Sequence, residues 1–177
     1  MTQRKKDNLK PPELCVPAGS PKILKYAIAY GADAVYIGFG KFNLRNFGDN
    51  FTISELRDSV EYAHNKNVKV YFTINAIISE NEIDSLKKFI KNIKVIDFDA
   101  YIVSDLSVIE LLKKEFPCPR IHISTQLSIS NHIALNFWAK IGASRVNLAR
   151  ELSYKDVCEI VKKSKIEVEV FVHGALC

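Results

Sequence analysis

Gly31-Ala32-Asp33-Ala34-Val35-Tyr36-Ile37 decides the fold, because its opening recurs as Gly142-Ala143-Ser144-Arg145-Val146. Each glycine follows an apolar run at helical spacing. Ile23, Leu24, Ala27 and Ile28 precede the first, and Ile133, Phe137, Trp138 and Ile141 precede the second. A glycine just past the last periodic residue stops a helix. A short β-rich run after it reads as a strand. The shared Gly-Ala-x-x-Val junction is thus one helix-to-strand turn used twice, not a solenoid repeat.

The same alternation extends in both directions. Strands are expected at 13–16, 34–37, 69–74, 100–103, 121–124, 145–148 and 167–172. Their centres lie about 20 to 35 residues apart, the spacing of βα units. The intervening runs have a period near 3.6: Leu56, Val60 and Ala63; Ile83, Leu86, Ile90 and Ile93; Val108, Leu111, Leu112 and Phe116; Val157, Ile160 and Val161. These faces, Trp138 included, read as core. Ser20-Pro21 is a helix start, and Thr52 with Glu55 is a capping-box pattern. Ser107 and Ser153 also fall where helices should begin.

Strict alternation leaves an open doubly wound sheet or a (βα)8 barrel. The first βα turn, Pro17-Ala18-Gly19-Ser20, lacks the GxGxxG of a dinucleotide fold. Seven strands are one short of a closed barrel. The chain stops at a strand-to-loop junction, Phe171-Val172-His173-Gly174-Ala175-Leu176-Cys177. The expected fold is therefore α/β: a TIM-like (βα) barrel, incomplete, with seven of its eight strands. Residues 13–177 form the N-terminal part of that barrel domain, truncated at the HGALC motif, and residues 1–12 a basic flexible tail.

Composition agrees with one globular domain. The 177 residues are 47% hydrophobic and 25% charged, with seven Gly and six Pro. That excludes collagen-like, low-complexity and disordered classes. No apolar run approaches the roughly eighteen residues of a membrane helix, and the start has no signal-peptide core. The expected location is cytoplasmic, without membrane contact. Arg4, Lys5, Lys6 and Lys10 against Asp7 place +3 of the +5 net charge in the tail. Such an arm can touch phosphate, but short charged termini are commonly just solvated. Cys15, Cys118, Cys158 and Cys177 form no CxxC pair, so neither a disulfide framework nor a metal site follows from spacing.

In a parallel barrel the ligand groups gather beyond the C-terminal ends of the strands. That rule selects Arg45 and Asn43 after strand two and Thr73 and Asn75 after strand three. It adds Ser104 and Asp105 after four, Ser124, Thr125 and Gln126 after five, Arg150 and Glu151 after six, and His173 and Cys177 after seven. The contrast of polar rim and apolar strands suits an active site. Asn75 and Asp105 are also turn and cap types. Arg150 and Glu151 read equally as a local ion pair or an anion clamp. In the last strand, if Val168, Val170 and Val172 face the helices, Glu169 and His173 point into the barrel. A carboxylate there is either functional or paired by a buried Arg or Lys. His122, between Ile121 and Ile123, reads as a hydrogen-bonded core histidine. Cys15 and Cys158 read as small core residues, and Cys118 as a loop residue. Cys177 stands in a catalytic position as a nucleophile or a metal ligand, with no triad partners at recognisable spacing.

Several motifs carry a resemblance. Pro12-Glu13-Leu14 with Pro17-Ala18-Gly19, the stretch from Tyr30 to Tyr36, and His122-Ile123-Ser124-Thr125-Gln126 are three of them. Leu148-Ala149-Arg150-Glu151-Leu152-Ser153 and Phe171 to Cys177 complete the set. Together they resemble the U32 "collagenase-like peptidase" family. The resemblance implies a TIM-like barrel in the N-terminal half of a longer protein. It implies oxygen-independent hydroxylation, as of tRNA uridine, 23S rRNA cytidine or ubiquinone precursors. It also implies a [4Fe–4S] cluster on four cysteines, with prephenate as hydroxyl source in the RNA branch. Cys177 matches the first cluster cysteine; the other three would come from a C-terminal half or a partner chain, so residues 1–177 alone are expected to be inactive. The family often carries several arginines in the loop after strand two, where this chain keeps only Arg45.

The expected function is the N-terminal barrel of an iron–sulfur-dependent tRNA uridine hydroxylation protein, with tRNA or another RNA as partner. His173, Glu169 and Gln126 are the candidate catalytic residues, and Cys177 the metal ligand. Arg45, Asn75, Asp105, Ser124, Thr125, Arg150 and Glu151 are the candidate substrate contacts. Two other readings stand beside it: a U32-type peptidase, although no HExxH or triad is present, and an inert or binding-only barrel.

Overall fold

The computed structural model describes residues 11–44 and 51–174. Strands and helices alternate: β1 (Cys15–Pro17), α1 (Pro21–Ala29), β2 (Ala34–Gly38), α2 (Ile53–His64), β3 (Lys69–Ile74), α3 (Ile83–Ile93), β4 (Ala100–Val103), α4 (Leu106–Glu115), β5 (Ile121–Ile123), α5 (His132–Ile141), β6 (Ala143–Asn147), α6 (Tyr154–Lys163) and β7 (Glu167–Glu169). The strands form one sheet in sequence order, every pair parallel. The expected seven-stranded TIM-like arrangement is what forms.

Local chemistry explains the element ends. Gly31 and Gly142 both take positive φ, +93° and +98°, which a side chain would resist. The left-handed glycine is thus used twice, although β6 begins directly after Gly142 and β2 three residues after Gly31. Thr52 Oγ1 accepts from Glu55 N while Thr52 N donates to the Glu55 carboxylate, the expected capping box. The cap of α4 is Asp105 rather than Ser107: Asp105 Oδ1 accepts from both the backbone N and the hydroxyl of Ser107. Asp33 and Asp99 repeat a second device. Each lies just before a strand and accepts from the backbone N of a residue on or next to the neighbouring strand, Leu14 and Val70 respectively.

Period-two alternation sorts each strand into two faces. Val35, Ile37, Val70, Phe72, Val103, Ile123 and Val146 meet the helices, where Leu24, Leu56, Leu86, Ile90 and Leu112 are fully buried. Each such aliphatic side chain contributes about 1.5–3 kcal/mol. The other face holds Cys15, Ala34, Tyr71, Ala100 and Ile102, joined by Thr73, His122, Arg145 and Asn147. The sheet curls around this second face, so Tyr71 on β3 reaches both Glu13 ahead of β1 and His122 on β5.

Three expectations need correction. Strand β7 ends at Glu169 instead of 172. Its ladder partner β6 ends at Asn147, and Leu148 N closes the pairing on Glu169 O at 2.9 Å. Val168 packs on the core, but Val170 and Val172 are exposed, so the three valines do not share one buried face. On α5 the buried residue is Leu135, while Ile133 and Phe137 face outward; on α6, Val161 is exposed. Among the described residues, no helix is long and apolar enough to cross a membrane.

Candidate functional site

Two groups of polar residues occupy the barrel, one at its C-terminal mouth and one in its interior. At the mouth, Asn75 ties three loops together. Its Oδ1 accepts from Leu44 N at 3.3 Å, and its carbonyl accepts from Ser104 Oγ at 3.0 Å. Phe42 O receives Ala76 N at 3.1 Å. The loop after β2 folds back so that Asn43 lies against Gly38, the last strand residue, where an added Cβ would lie 1.9 Å from Asn43 Nδ2.

The loops after β5 and β6 are joined as well. Thr125 Oγ1 donates to Leu148 O at 2.8 Å, and Ala149 N donates to Ile129 O at 2.9 Å. Ser124 is buried and its Oγ accepts from Gln126 N. The Arg150 guanidinium carbon lies 3.9 Å from the Phe171 ring centroid, a cation–π contact. Ser124, Thr125, Gln126 and Arg150 are therefore brought to one side of the mouth, and Asn75 to the side of β2 to β4. Glu151 and His173 are exposed. The interior position expected for His173 does not form, because β7 ends four residues before it. Asp105 is engaged as a helix cap. Arg45 and Cys177 lie outside the described residues, as does most of the basic tail.

The interior group centres on Arg145. Its Nη1 donates to Glu13 Oε1 at 2.7 Å and to Glu169 Oε2 at 3.2 Å, while Nε and Nη2 donate to Glu167 Oε2 at 2.9 and 2.7 Å. The guanidinium also lies 5.2 Å from the Tyr71 ring centroid. Glu13 further accepts from Lys69 Nζ at 2.6 Å and Tyr71 Oη at 2.7 Å. Glu169 thus has the buried arginine partner that one of its two readings required.

The two carboxylates respond differently to the same cation. Burial alone would raise Glu13, but hydrogen bonds from Lys69, Tyr71 and Arg145 outweigh it and hold the acid at about 2. Glu169 is raised, because its deeper burial exceeds what the longer contact to Arg145 returns. His122 is pushed down to about 3 by burial and by Arg145, so its imidazole stays neutral. Arg145 itself is held firmly charged by Glu13 and Glu167 against its burial.

Arg145 and Glu13 are the residues sequence reasoning passed over. One signal for Arg145 was available: it is two residues from Asn147 on a strand whose Val146 and Leu148 face outward, so it had to point inward. Glu13, expected to open a strand at 13–16, lies ahead of the strand that forms, Cys15–Pro17, so strand alternation does not account for its inward position.

The described residues do not fit an iron–sulfur cluster. No group of three or more His, Cys, Asp or Glu among them is placed to hold a metal, and a cluster needs several converging thiolates. Cys15 faces the interior, where burial and the Glu169 and Glu13 carboxylates push its thiol up and keep it protonated. Cys118 is exposed beyond α4, and Cys158 is on α6.

An all-parallel, helix-covered, curled sheet with its polar rim past the strand C-termini defines a TIM-like barrel protein with seven of its strands described. The sequence profile of Peptidase family U32 matches residues 19–177, and the chain belongs to that family. The chain is 42% identical over 168 residues to "tRNA hydroxylation protein P1" of Bacillus subtilis, covering 95% of this chain and 40% of that protein. It is 44% identical over 170 residues to "tRNA hydroxylation protein P" of Haemophilus influenzae, covering 94% and 36%. The chain thus spans well under half the length of these relatives. Among solved structures, the U32 peptidase Mk0906 superposes with a TM-score of 0.73 at 14% identity, over 96% of this chain and 72% of that one. That likeness concerns the fold.

Proposed function

We propose that this barrel is the substrate-receiving part of an RNA hydroxylation protein, with a tRNA uridine as the modified base and the cytoplasm as its place of action. One observation carries the reading: identity of 42% and 44%, over nearly the whole chain, to two proteins named for tRNA hydroxylation. The mouth chemistry supports it. Arg150, whose guanidinium carbon lies 3.9 Å from the Phe171 ring centroid, carries a planar N–H fork suited to an anionic oxygen of phosphate or of a carboxylate co-substrate such as prephenate. Gln126, Ser124 and Thr125 supply neutral donors and acceptors beside it. Arg45 adds a second cation from the loop after β2, and His173 and Glu169 are the proton-handling candidates. Cys177 would give one ligand to a [4Fe–4S] cluster whose other thiolates come from outside this chain.

The peptidase reading finds less support. Among the described residues, no Ser, Thr or Cys side chain has an imidazole as its hydrogen-bond partner.

The test is nucleoside mass spectrometry of total tRNA from cells lacking the gene and complemented with the intact protein or its Arg150→Ala variant. The hydroxylated uridine should vanish in the deletion, return with the intact protein, and fall at least tenfold with the variant at equal protein abundance. Unchanged hydroxylated uridine in the deletion strain would overturn the reading, and gelatin cleavage by the intact protein would favour the peptidase alternative.

A further inference from the structure

Three side chains on the interior face carry hydrogen-bonding atoms that no described residue satisfies. Thr73 on β3, His122 on β5 and Asn147 on β6 are 6%, 0% and 4% exposed. Thr73 Oγ1, both ring nitrogens of His122 and Asn147 Oδ1 have no hydrogen-bond partner among the described residues. Native folds leave few such atoms unmatched, and a cluster of them on one face calls for a ligand or ordered water.

The register shows why the barrel's own side chains do not fill the need. Thr73 stands between Gly38, which has no side chain, and Ile102, which has no polar atom. His122 stands between Ile102 and Arg145. The Arg145 fork is engaged by three carboxylates. Tyr71 meets the imidazole in a T-shaped contact at 4.7 Å and directs its hydroxyl to Glu13.

The missing partner is uncharged. The Arg145 guanidinium next to His122 disfavours a cation. The Glu169 carboxylate, which accepts a hydrogen bond from the Asn147 side chain, disfavours an anion. A neutral imidazole offers one donor and one acceptor, Thr73 offers a hydroxyl, and Asn147 Oδ1 offers an acceptor. A hydroxyl group both donates and accepts, so it can serve one His122 nitrogen together with Thr73 or with Asn147.

We propose that the barrel interior binds a hydroxyl group at His122, shared with Thr73 or with Asn147. It is supplied by ordered water or by a small neutral alcohol entering from the C-terminal mouth. Nothing in this assignment depends on RNA being the substrate.

Crystals of the intact protein, grown without polyols and then transferred to ethylene glycol, test it. Before transfer, an oxygen should lie within about 3.2 Å of a His122 ring nitrogen and of Thr73 or Asn147. After transfer, a glycol hydroxyl in that place identifies an organic alcohol site, and persistence of the original oxygen identifies resident water. A side chain from elsewhere in the protein, an ion, or a dry interior would overturn the proposal. In solution, the imidazole ¹⁵N signals of His122, identified by their loss in His122→Asn, should keep the neutral, hydrogen-bonded pattern from pH 8 to pH 5. Thr73→Val leaves the ring in place and should shift the same signals. Titration of His122 near the ordinary histidine value of about 6.5 would count against the site.

Discussion

Arg145 Nη1 stands 2.7 Å from Glu13 Oε1, although Arg145 is on β6 and Glu13 precedes β1. Five strand spacings of ~4.8 Å would separate these strands by about 24 Å in a flat sheet. The contact exists only because the sheet curls back on itself. Arg145 also reaches Glu169 on β7, so one guanidinium links both edge strands of the described sheet across its interior. Glu13, Lys69, Arg145 and Glu167 lie at and below mid-strand, away from the mouth, and Glu169, the last residue of β7, is the network's one member at the C-terminal end. In this architecture the opposite, N-terminal end serves stability rather than chemistry.

Arg145→Met should therefore destabilise the barrel by about 3–5 kcal/mol, since it leaves the Glu169 carboxylate buried without its cation and Glu13 with Lys69 alone. Arg145→Lys should lose less, because it keeps the charge but not the fork that serves three carboxylates at once. Urea unfolding of the intact protein measures both; equal stability of Arg145→Met and the parent would remove the network from the account of the fold.

Acid should weaken the fold in two stages. His122 titrates at about 3 when folded and near 6.5 when unfolded, so below about pH 6.5 the unfolded chain takes the proton first. Its contribution is present above that pH and is lost at about 1.4 kcal/mol per pH unit as pH falls. Glu13, folded at about 2 against an ordinary 4.5, withdraws its share only below about pH 4.5. Glu169 has the opposite sign: its raised value favours the protonated form, so its ionisation costs stability as pH rises through that value. Stability measured against pH in His122→Asn should lack the upper stage and keep the lower one.

Gly38→Ala should displace the Asn43 side chain, because the new Cβ falls 1.9 Å from its Nδ2. Overpacking of this kind costs about 1–3 kcal/mol. Asn43→Ala, made on top of it, should recover part of that loss. A double-mutant cycle reads the coupling; strict additivity would mean that the loop moves away without resistance.

Asp105→Ala should cost about 1 kcal/mol by uncapping α4, and Asp105→Asn should restore most of it. Thermal unfolding separates the two. If Asp105→Asn is stable yet the proposed tRNA hydroxylation falls, the carboxylate's charge also meets substrate.

The strands and helices were legible because their signals are local. Gly31 and Gly142 stop helices through their own backbone freedom. Thr52 and Glu55 cap through atoms three residues apart, and alternation along β3 separates Phe72 from Tyr71 without help from any other element. The polar rim was legible too, because strand polarity in a parallel barrel sends the following loops to one end. Past Glu169 the local signal misled. Val170 and Val172 alternate like strand residues, yet a strand needs a neighbour to pair with, and β6 ends at Asn147.

The order of elements, the parallel α/β class, the seven-stranded TIM-like arrangement and the motifs that place the chain in its family could all be read from the residues alone. Each follows from short-range patterning of side chains along the backbone. Only the tertiary structure decided what the interior polar residues do. Arg145 is 132 residues from Glu13, and no periodicity links positions that far apart. Closure of the sheet brings them together, engages Glu169 with a cation, and leaves His122, Thr73 and Asn147 turned inward with hydrogen bonds still to make.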